Sequence, residues 1–180
     1  GKGVEYVLHS PARDVEVEAD RVRVKVFLQN MELNVEARAA VIATGFGSRL
    51  AEKLGLGDFS DFVIGAQAEV TTTGLDEVEV YFGSQIAPGF FGWLVPTSPQ
   101  TAKAGLLSRR NPELYLKRLL SSLLAQGKIV SAEVELSCGG IPLKPLSRTF
   151  GERVVVVGDA AGQVKPTSGG GIYYGLLCAE

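Results

Sequence analysis

The chain has 180 residues, 46% hydrophobic and 21% charged, a globular composition with enough apolar matter for one domain or two small ones. A net charge of −2 and a pI near 5.6 exclude bulk nucleic-acid binding, which needs a basic footprint to neutralise phosphates. The single histidine, His9, at an apparent strand end, excludes a His-rich metal site and a Ser-His-Asp set, and no apolar run reaches the roughly 18 residues of a membrane span.

From the start, "GKGVEYVLHS" carries no apolar signal region and no initiator Met. Alternation then sets in. Val15, Val17 and Ala19 share one strand face, Val22, Val24, Val26 and Leu28 the next, and Leu33 and Val35 a third, with breaks at Asp20 and Asn30. The pattern predicts an antiparallel meander of three or four strands, ending in an apolar strand from Ala39 to Ala43 that runs into "ATGFGS". "SRLAEKLGLG" predicts a short helix with Ser48 as N-cap and Gly55 as its stop.

Strands are predicted again for "FVIGAQAEV", "EVEVYFG", "FGWLVPT" and "TAKAGLLS". "NPELYLKRLLSSLLAQG" is the clearest helix: Asn111 caps, Pro112 fits the first turn, Glu113 suits the positive end and Gly127 stops it. Leu116, Leu119, Leu120, Leu123 and Leu124 fall on one stripe, read as a sheet-packing face. One more strand is predicted for "SAEVELS", followed by the Gly- and Pro-rich connection "CGGIPLKPLSRTFGE". The two cysteines, Cys138 and Cys178, form no CxxC pair and fit a reducing compartment.

The chain closes on "VVVVGDAAGQVKPTSGGGIYYGLLCAE". Val154 to Val157 lacks polar alternation and reads as a strand buried on both faces, the habit of a parallel α/β sheet. Ligands in such sheets sit beyond the carboxyl ends of strands, where Gly158 and Asp159 stand. An Asp there accepts hydrogen bonds from a polyol or caps the following turn; both readings stay open. Gly169, Gly170 and Gly171 then lead into a helical pattern, and glycines at a helix start let a ligand approach free backbone N–H groups.

This run resembles the second FAD-binding motif of the p-hydroxybenzoate hydroxylase-type flavoproteins, and is most similar to their geranylgeranyl reductase branch. The resemblance implies that Gly158 and Asp159 bind the cofactor, Asp159 at the ribityl chain of FAD, and that Pro166 and Thr167 lie along the isoalloxazine ring. It also implies that the amides of Gly169, Gly170, Gly171 and Ile172 face the pyrimidine edge of that ring. Gly162 stands where many aromatic hydroxylases of the fold carry His. "VIATGFGS" resembles the turn that ends the meander beneath the cofactor. "APGFFGWLVPTSPQTAKAGL" resembles the reductases' aromatic-x-Trp-x-aromatic-Pro substrate motif, with Phe91, Trp93 and Pro96 matching in kind and Val95 replacing the second aromatic.

The fold implied is α+β, a p-hydroxybenzoate hydroxylase-like flavoprotein fragment. Residues 1–57 would be part of an FAD-binding domain, 58–146 an antiparallel-sheet substrate domain with one long helix, and 147–180 a return to the FAD-binding domain. No GxGxxG unit is present, so the chain reads as an internal fragment in which FAD binding is weak or absent and activity is not expected. For the parent, the resemblance implies hydride transfer from reduced flavin to a carbon–carbon double bond of an isoprenoid lipid. The flavin would be reduced by an external donor, NADPH or ferredoxin-like. No catalytic side chain is assigned; Tyr173, Tyr174 and Cys138 qualify as proton donors by type only. No metal and no nucleic-acid partner are expected. A cytoplasmic location with peripheral membrane contact fits. The rival readings are an FAD-dependent monooxygenase or halogenase of the same fold, and a non-catalytic lipid- or protein-binding domain.

Overall fold

The computed structural model describes residues 3–29 and 31–178, so the predicted break at Asn30 lies outside the described residues. In chain order the elements are β1 (Ala12–Val17), β2 (Val22–Leu28), β3 (Met31–Ala37), β4 (Ala40–Ile42), α1 (Leu50–Lys53), β5 (Phe62–Thr71), β6 (Glu79–Phe82) and β7 (Phe91–Ser98). There follow β8 (Thr101–Ser108), α2 (Pro112–Ala125), β9 (Ser137–Pro142), β10 (Phe150–Gly151), β11 (Val154–Val156), a 3-10 turn at Gly158–Ala161 and α3 (Ile172–Leu177). They fall into two compact units. The first takes the described residues up to Phe59, those from Pro145 to Gln163 and those from Gly171 onward; the second takes Ser60–Lys144 and Val164–Gly170.

In the first unit β1, β2 and β3 form an antiparallel meander. Its registers sort side chains by chemistry. Val15, Val24 and Val35 are aligned on one face, while Glu16, Arg23 and Glu36 are aligned on the other. Arg23 bridges Glu18 at 2.8 Å, Glu36 at 3.5 Å and Glu16 at 3.6 Å, so the polar face is a lattice of exposed ion pairs, each worth little in water.

The strand predicted to end the meander does not extend it. β4 leaves that sheet and pairs in parallel with β11, Ala40 opposite Val154 and Ile42 opposite Val156. β10 adds antiparallel to the other side of β11. The valine run is also not buried on both faces: Val154 and Val156 are buried, but Val155 is 45% exposed in line with Phe150 and Val41. Val22, Ile42, Leu56, Val154, Val156 and Ala161 form the unit's core.

Arg153 ties the small sheet to the meander. It sits at φ +59, a left-handed value unusual for a branched-chain-free but bulky residue, and its guanidinium donates to the carbonyls of Ala19 (2.8 Å) and Arg38 (3.2 Å). His9 lies in a turn, also left-handed at φ +55, not at a strand end. At α1 the N-cap position belongs to Arg49; Ser48 Oγ, one residue earlier, accepts weakly from Leu50 N–H at 3.3 Å. Gly55 follows the helix at φ +67, the left-handed stop that only glycine takes without strain.

The second unit is one antiparallel sheet in the order β6-β7-β8-β5-β9, with α2 on one side. Leu116, Leu119, Leu120 and Leu123 are buried against Ala66, Ala68, Leu94, Ala104 and Leu106. Leu124 does not join them and is 42% exposed. At about 100° per residue it lies roughly 90° from the centre of the stripe drawn by the other four. Asn111 occupies the N-cap, but its side chain makes no capping bond; its backbone is left-handed at φ 50, a conformation asparagine tolerates.

The last strand of this sheet is displaced from its predicted place. Residues 131–136 are outside any strand, yet Ala132, Val134 and Leu136 turn inward against the core, which explains their alternation. The hydrogen-bonded strand is β9, running through Cys138, Gly139 and Gly140 along the edge of β5. Beneath β6, Lys128 Nζ and Tyr81 OH both donate to the Glu79 carboxylate, and Lys128 lies over the Tyr81 ring at 5.6 Å. No helix among the described residues is long and apolar enough to cross a membrane.

Two outcomes follow from these contacts. Arg153→Ala removes donors to two carbonyls and is expected to cost on the order of 1 kcal/mol, a few degrees in thermal midpoint by calorimetry. Glu79 is held below its ordinary value near 4.5, first by the Lys128 hydrogen bond and then by that of Tyr81. Its contribution to stability is therefore complete above that ordinary value and is lost as pH falls through the lowered folded value. Denaturant midpoints measured from pH 6 downward should fall less steeply in Glu79→Gln than in the parent chain.

Candidate functional site

At the carboxyl end of β11, Val157 N–H donates to the Ile42 carbonyl at 3.0 Å, carrying the parallel pairing one step further. Gly158 then turns the chain at φ +64 into the 3-10 turn, and Gly162 closes that turn at φ +73. Both positions require left-handed backbone, so the glycine at 162 has a conformational reason beside the family one. Gln163 completes a ring that sequence reasoning missed. Its Oε1 accepts from Gly158 N–H at 2.7 Å while its own N–H donates to the Gly158 carbonyl at 3.0 Å. Nothing in the local sequence marks a glutamine for this, because the bond depends on the turn already being formed.

Asp159 stands in this ring, half-buried. Its side chain does not cap the turn, and its carboxylate has no hydrogen bond or ion pair among the described residues. The turn thus presents an unpartnered acceptor at the end of a parallel strand, the geometry in which a polyol hydroxyl is bound. α3 lies beside this turn, with Gly171 at its N-cap. Tyr173 and Tyr174 on that helix are edge-to-face at 5.3 Å, and none of the helix residues described is buried.

Pro166, Thr167, Gly169 and Gly170 belong to the second unit. They form a closed loop. Lys165 N–H donates to the Gly170 carbonyl at 3.0 Å, and the N–H groups of Ser168 and Gly169 donate back to the Lys165 carbonyl at 3.2 and 2.8 Å. Pro166 and Thr167 are exposed at the tip. Gly169 has φ +69, and a Cβ added there would sit 3.2 Å from Ile141 Cδ1 and 3.5 Å from Leu107 Cδ1. The loop is therefore seated on the side of the sheet that faces away from α2. The N–H groups of Gly170 and Gly171 donate no bond among the described residues.

That side of the sheet is apolar. Phe91 and Trp93 alternate with Gly92 and Leu94 along β7, and Leu94 is in the core under α2, so the two aromatics point the other way. There they meet Val63, Leu107, Ile141 and Leu143 in a cluster of their own. Their rings are 6.0 Å apart, and Phe82 on the neighbouring strand continues the row 6.2 Å from Phe91. The structure thus brings Phe91, Trp93 and the Pro166–Gly170 loop onto one face. Pro96 is not among them: it pairs with Ala102 in register with Leu94 and falls on the α2 side. Three residues separate it from Trp93, an odd step that reverses the face, and the strand's irregularity begins only after it. Cys138 pairs with Ala66 and likewise falls on the α2 side, where burial first and Glu113 second raise its thiol pKa. It lines a cleft of about 670 Å³ with Asn111, Glu113 and Lys117, a cavity remote in the sheet from Trp93.

No protein-family model matches the chain. Among curated proteins it is 31% identical to the digeranylgeranylglycerophospholipid reductase of Methanocaldococcus jannaschii, over 98% of this chain and 48% of that protein. Among solved structures, a geranylgeranyl bacteriochlorophyll reductase-like protein from Thermoplasma acidophilum superposes with a TM-score of 0.79 at 26% identity, over 93% of this chain and 45% of that one. The chain belongs to the geranylgeranyl reductase family. It spans about half the length of that curated relative. CmlS, a flavin-dependent halogenase, superposes with a TM-score of 0.72 at 18% identity over 94% of the chain, a likeness of fold alone. The α+β architecture is that of the p-hydroxybenzoate hydroxylase-like flavoproteins, which the geranylgeranyl reductase family shares.

The loop seat separates Gly169 from Gly170. Gly169→Ala meets both a left-handed backbone and a 3.2 Å contact, and is expected to cost about 2 kcal/mol. Gly170→Ala has its nearest new neighbour, Ser168 Oγ, at 3.5 Å and should cost under roughly 0.5 kcal/mol. Paired urea denaturation curves of the two variants check the order.

Proposed function

We propose that the protein carrying this chain is an FAD-dependent reductase that saturates carbon–carbon double bonds of an isoprenoid, geranylgeranyl-type lipid. In this reading the first unit is part of the FAD-binding domain and the second is the substrate domain. One observation carries it: the loop holding Pro166 and Thr167 is seated through Gly169 on the same apolar face that displays Phe91 and Trp93. The residues matching a flavin motif and those matching a lipid-substrate motif thereby share one surface. The name of the Methanocaldococcus relative favours reduction over hydroxylation or halogenation.

The residues present fit FAD. The Asp159 carboxylate, without a partner among the described residues, would accept hydrogen bonds from the ribityl hydroxyls, with Gly158 keeping the backbone close. Pro166 and Thr167 would flank the ring system. The N–H groups of Gly170 and Gly171, unpaired among the described residues, with that of Ile172 at the start of α3, would donate to its electron-rich edge. When bound, FAD supplies the two-electron chemistry, delivering a hydride to the double bond after reduction by a donor such as NADPH or a ferredoxin-like protein. The apolar face excludes water and orients the chain. Cys138, on the opposite side of the sheet, is removed from the set of proton donors, which leaves Tyr173 and Tyr174. A lipid substrate places the protein in peripheral contact with a membrane surface.

The test is a titration with FAD of the full-length protein that carries this chain, purified free of flavin, followed by quenching of flavin fluorescence and by absorption near ~370 and ~450 nm. Saturable uptake is expected, and Asp159→Ala should weaken it at least about tenfold. Uptake that is absent, or indifferent to Asp159, overturns the flavin assignment. With reduced flavin and a geranylgeranyl lipid, mass spectrometry should find two hydrogens gained per bond; an oxygen or halogen gained on an aromatic substrate would favour the rival chemistry.

A further inference from the structure

The apolar face has a floor as well as walls. Trp93 pairs with Gly105 across β7 and β8. Its indole lies flat over that glycine: a Cβ added at Gly105 would sit 2.4 Å from Cζ2, 2.5 Å from Cε2 and 2.8 Å from Nε1. The space a side chain at 105 would fill is therefore filled by the ring. Gly105 has no positive φ, so its backbone does not demand glycine. The indole does. The same face offers a contrast. Gly139, on β9, also lies on the side away from α2, since it pairs with Gly65, which pairs with Leu107. A Cβ at Gly139 meets nothing within 4 Å.

We propose that Gly105 is the positioning residue for Trp93, and that the absence of a side chain at 105 sets how deep the apolar face is and hence the bulk of isoprenoid chain it accepts. The second half of this statement rests on the reading of that face as the isoprenoid surface. The physical step is short. Restoring an ordinary carbon–carbon separation of about 3.5 Å requires the ring to rise roughly 1 Å, away from the sheet and toward where a substrate would lie. Backbone on the strand side does not yield, because β8 is hydrogen-bonded on both flanks by β7 and β5. The ring can yield by rotation about its side-chain bonds. A slot matched to a branched hydrocarbon loses its fit when its floor rises by that much.

Trp93 is the only tryptophan of the chain, so intrinsic fluorescence reports on this ring alone. The experiment compares the parent chain with Gly105→Ala and Gly139→Ala, measuring emission maximum, acrylamide quenching and the response of the emission to added geranylgeraniol, with circular dichroism as the check on folding. Gly105→Ala is expected to shift the emission to the red, to raise the quenching constant at least twofold and to weaken the geranylgeraniol response at least tenfold. Gly139→Ala, the same chemical change on the same face, should move none of these. Emission and quenching unchanged in Gly105→Ala overturn the seat. A shifted emission with an unweakened geranylgeraniol response overturns its control of the slot. A parent chain that does not respond to geranylgeraniol, while Gly105→Ala still shifts the emission, sinks the isoprenoid reading and leaves the seat standing. If Gly105→Ala fails to fold, the double variant Trp93→Leu with Gly105→Ala decides by circular dichroism: recovered folding supports the seat, and its absence refutes it.

Discussion

Two three-residue strands, Ala40–Ile42 and Val154–Val156, hold remote segments of the chain side by side, and the rest of the first unit depends on that pairing. A parallel pair cannot be made by a tight turn; it needs a long excursion between its strands. Here the excursion contains the long stretch Ser60–Lys144 of the second unit. The pairing continues through Val157 and ends at Gly158, so it also fixes where the 3-10 turn begins and where Asp159 stands. Arg153, reaching the carbonyls of Ala19 and Arg38, braces the same junction from the polar side. Loss of this pairing would release the Asp159 ring from any defined position.

Signals that lie within one element were legible in the sequence. The leucine stripe of α2 is a local periodicity, and four of its five leucines are buried by it. The meander follows from alternation, and its registers set Val15 opposite Val24, Val17 opposite Val22 and Val24 opposite Val35, although Ala19 lies past the end of β1. Signals that depend on a remote partner were not legible. Residues 39–43 look like the next strand of a meander, and only the placement of Val154–Val156 shows otherwise. Residues 131–136 alternate because they are packed, not because they are paired. Burial and ladder formation usually coincide in a strand, and here they part.

The same division runs through the candidate site. Asp159 and the glycines could be picked out by type, since a Gly-Asp after a valine run is visible as text. That the carboxylate has no partner among the described residues is a matter of three dimensions, and so is the closure of its turn by Gln163. Trp93 was visible and Gly105 was not, because an unremarkable glycine in "TAKAGLLS" acquires its meaning only from the ring across the strand. Pro96 shows the converse. It is adjacent to the aromatics in the motif yet an odd number of residues from Trp93, and strand geometry sends it to the other face.

The order of units along the chain has a consequence for how the molecule is made. The second unit is almost wholly one uninterrupted stretch, Ser60–Lys144, lodged between the first two of the three pieces of the first unit. During synthesis that stretch is complete before the chain reaches Val154, so its sheet and α2 are free to form while β4 still lacks a partner. Closing the parallel pair is then a late, long-range event. Its entropic cost is reduced because the intervening chain has already folded and no longer spans the gap as a random coil. Insertion thus turns a contact between remote segments into one whose ends are brought near by a finished scaffold, since Phe62 and Pro142 are paired neighbours on β5 and β9.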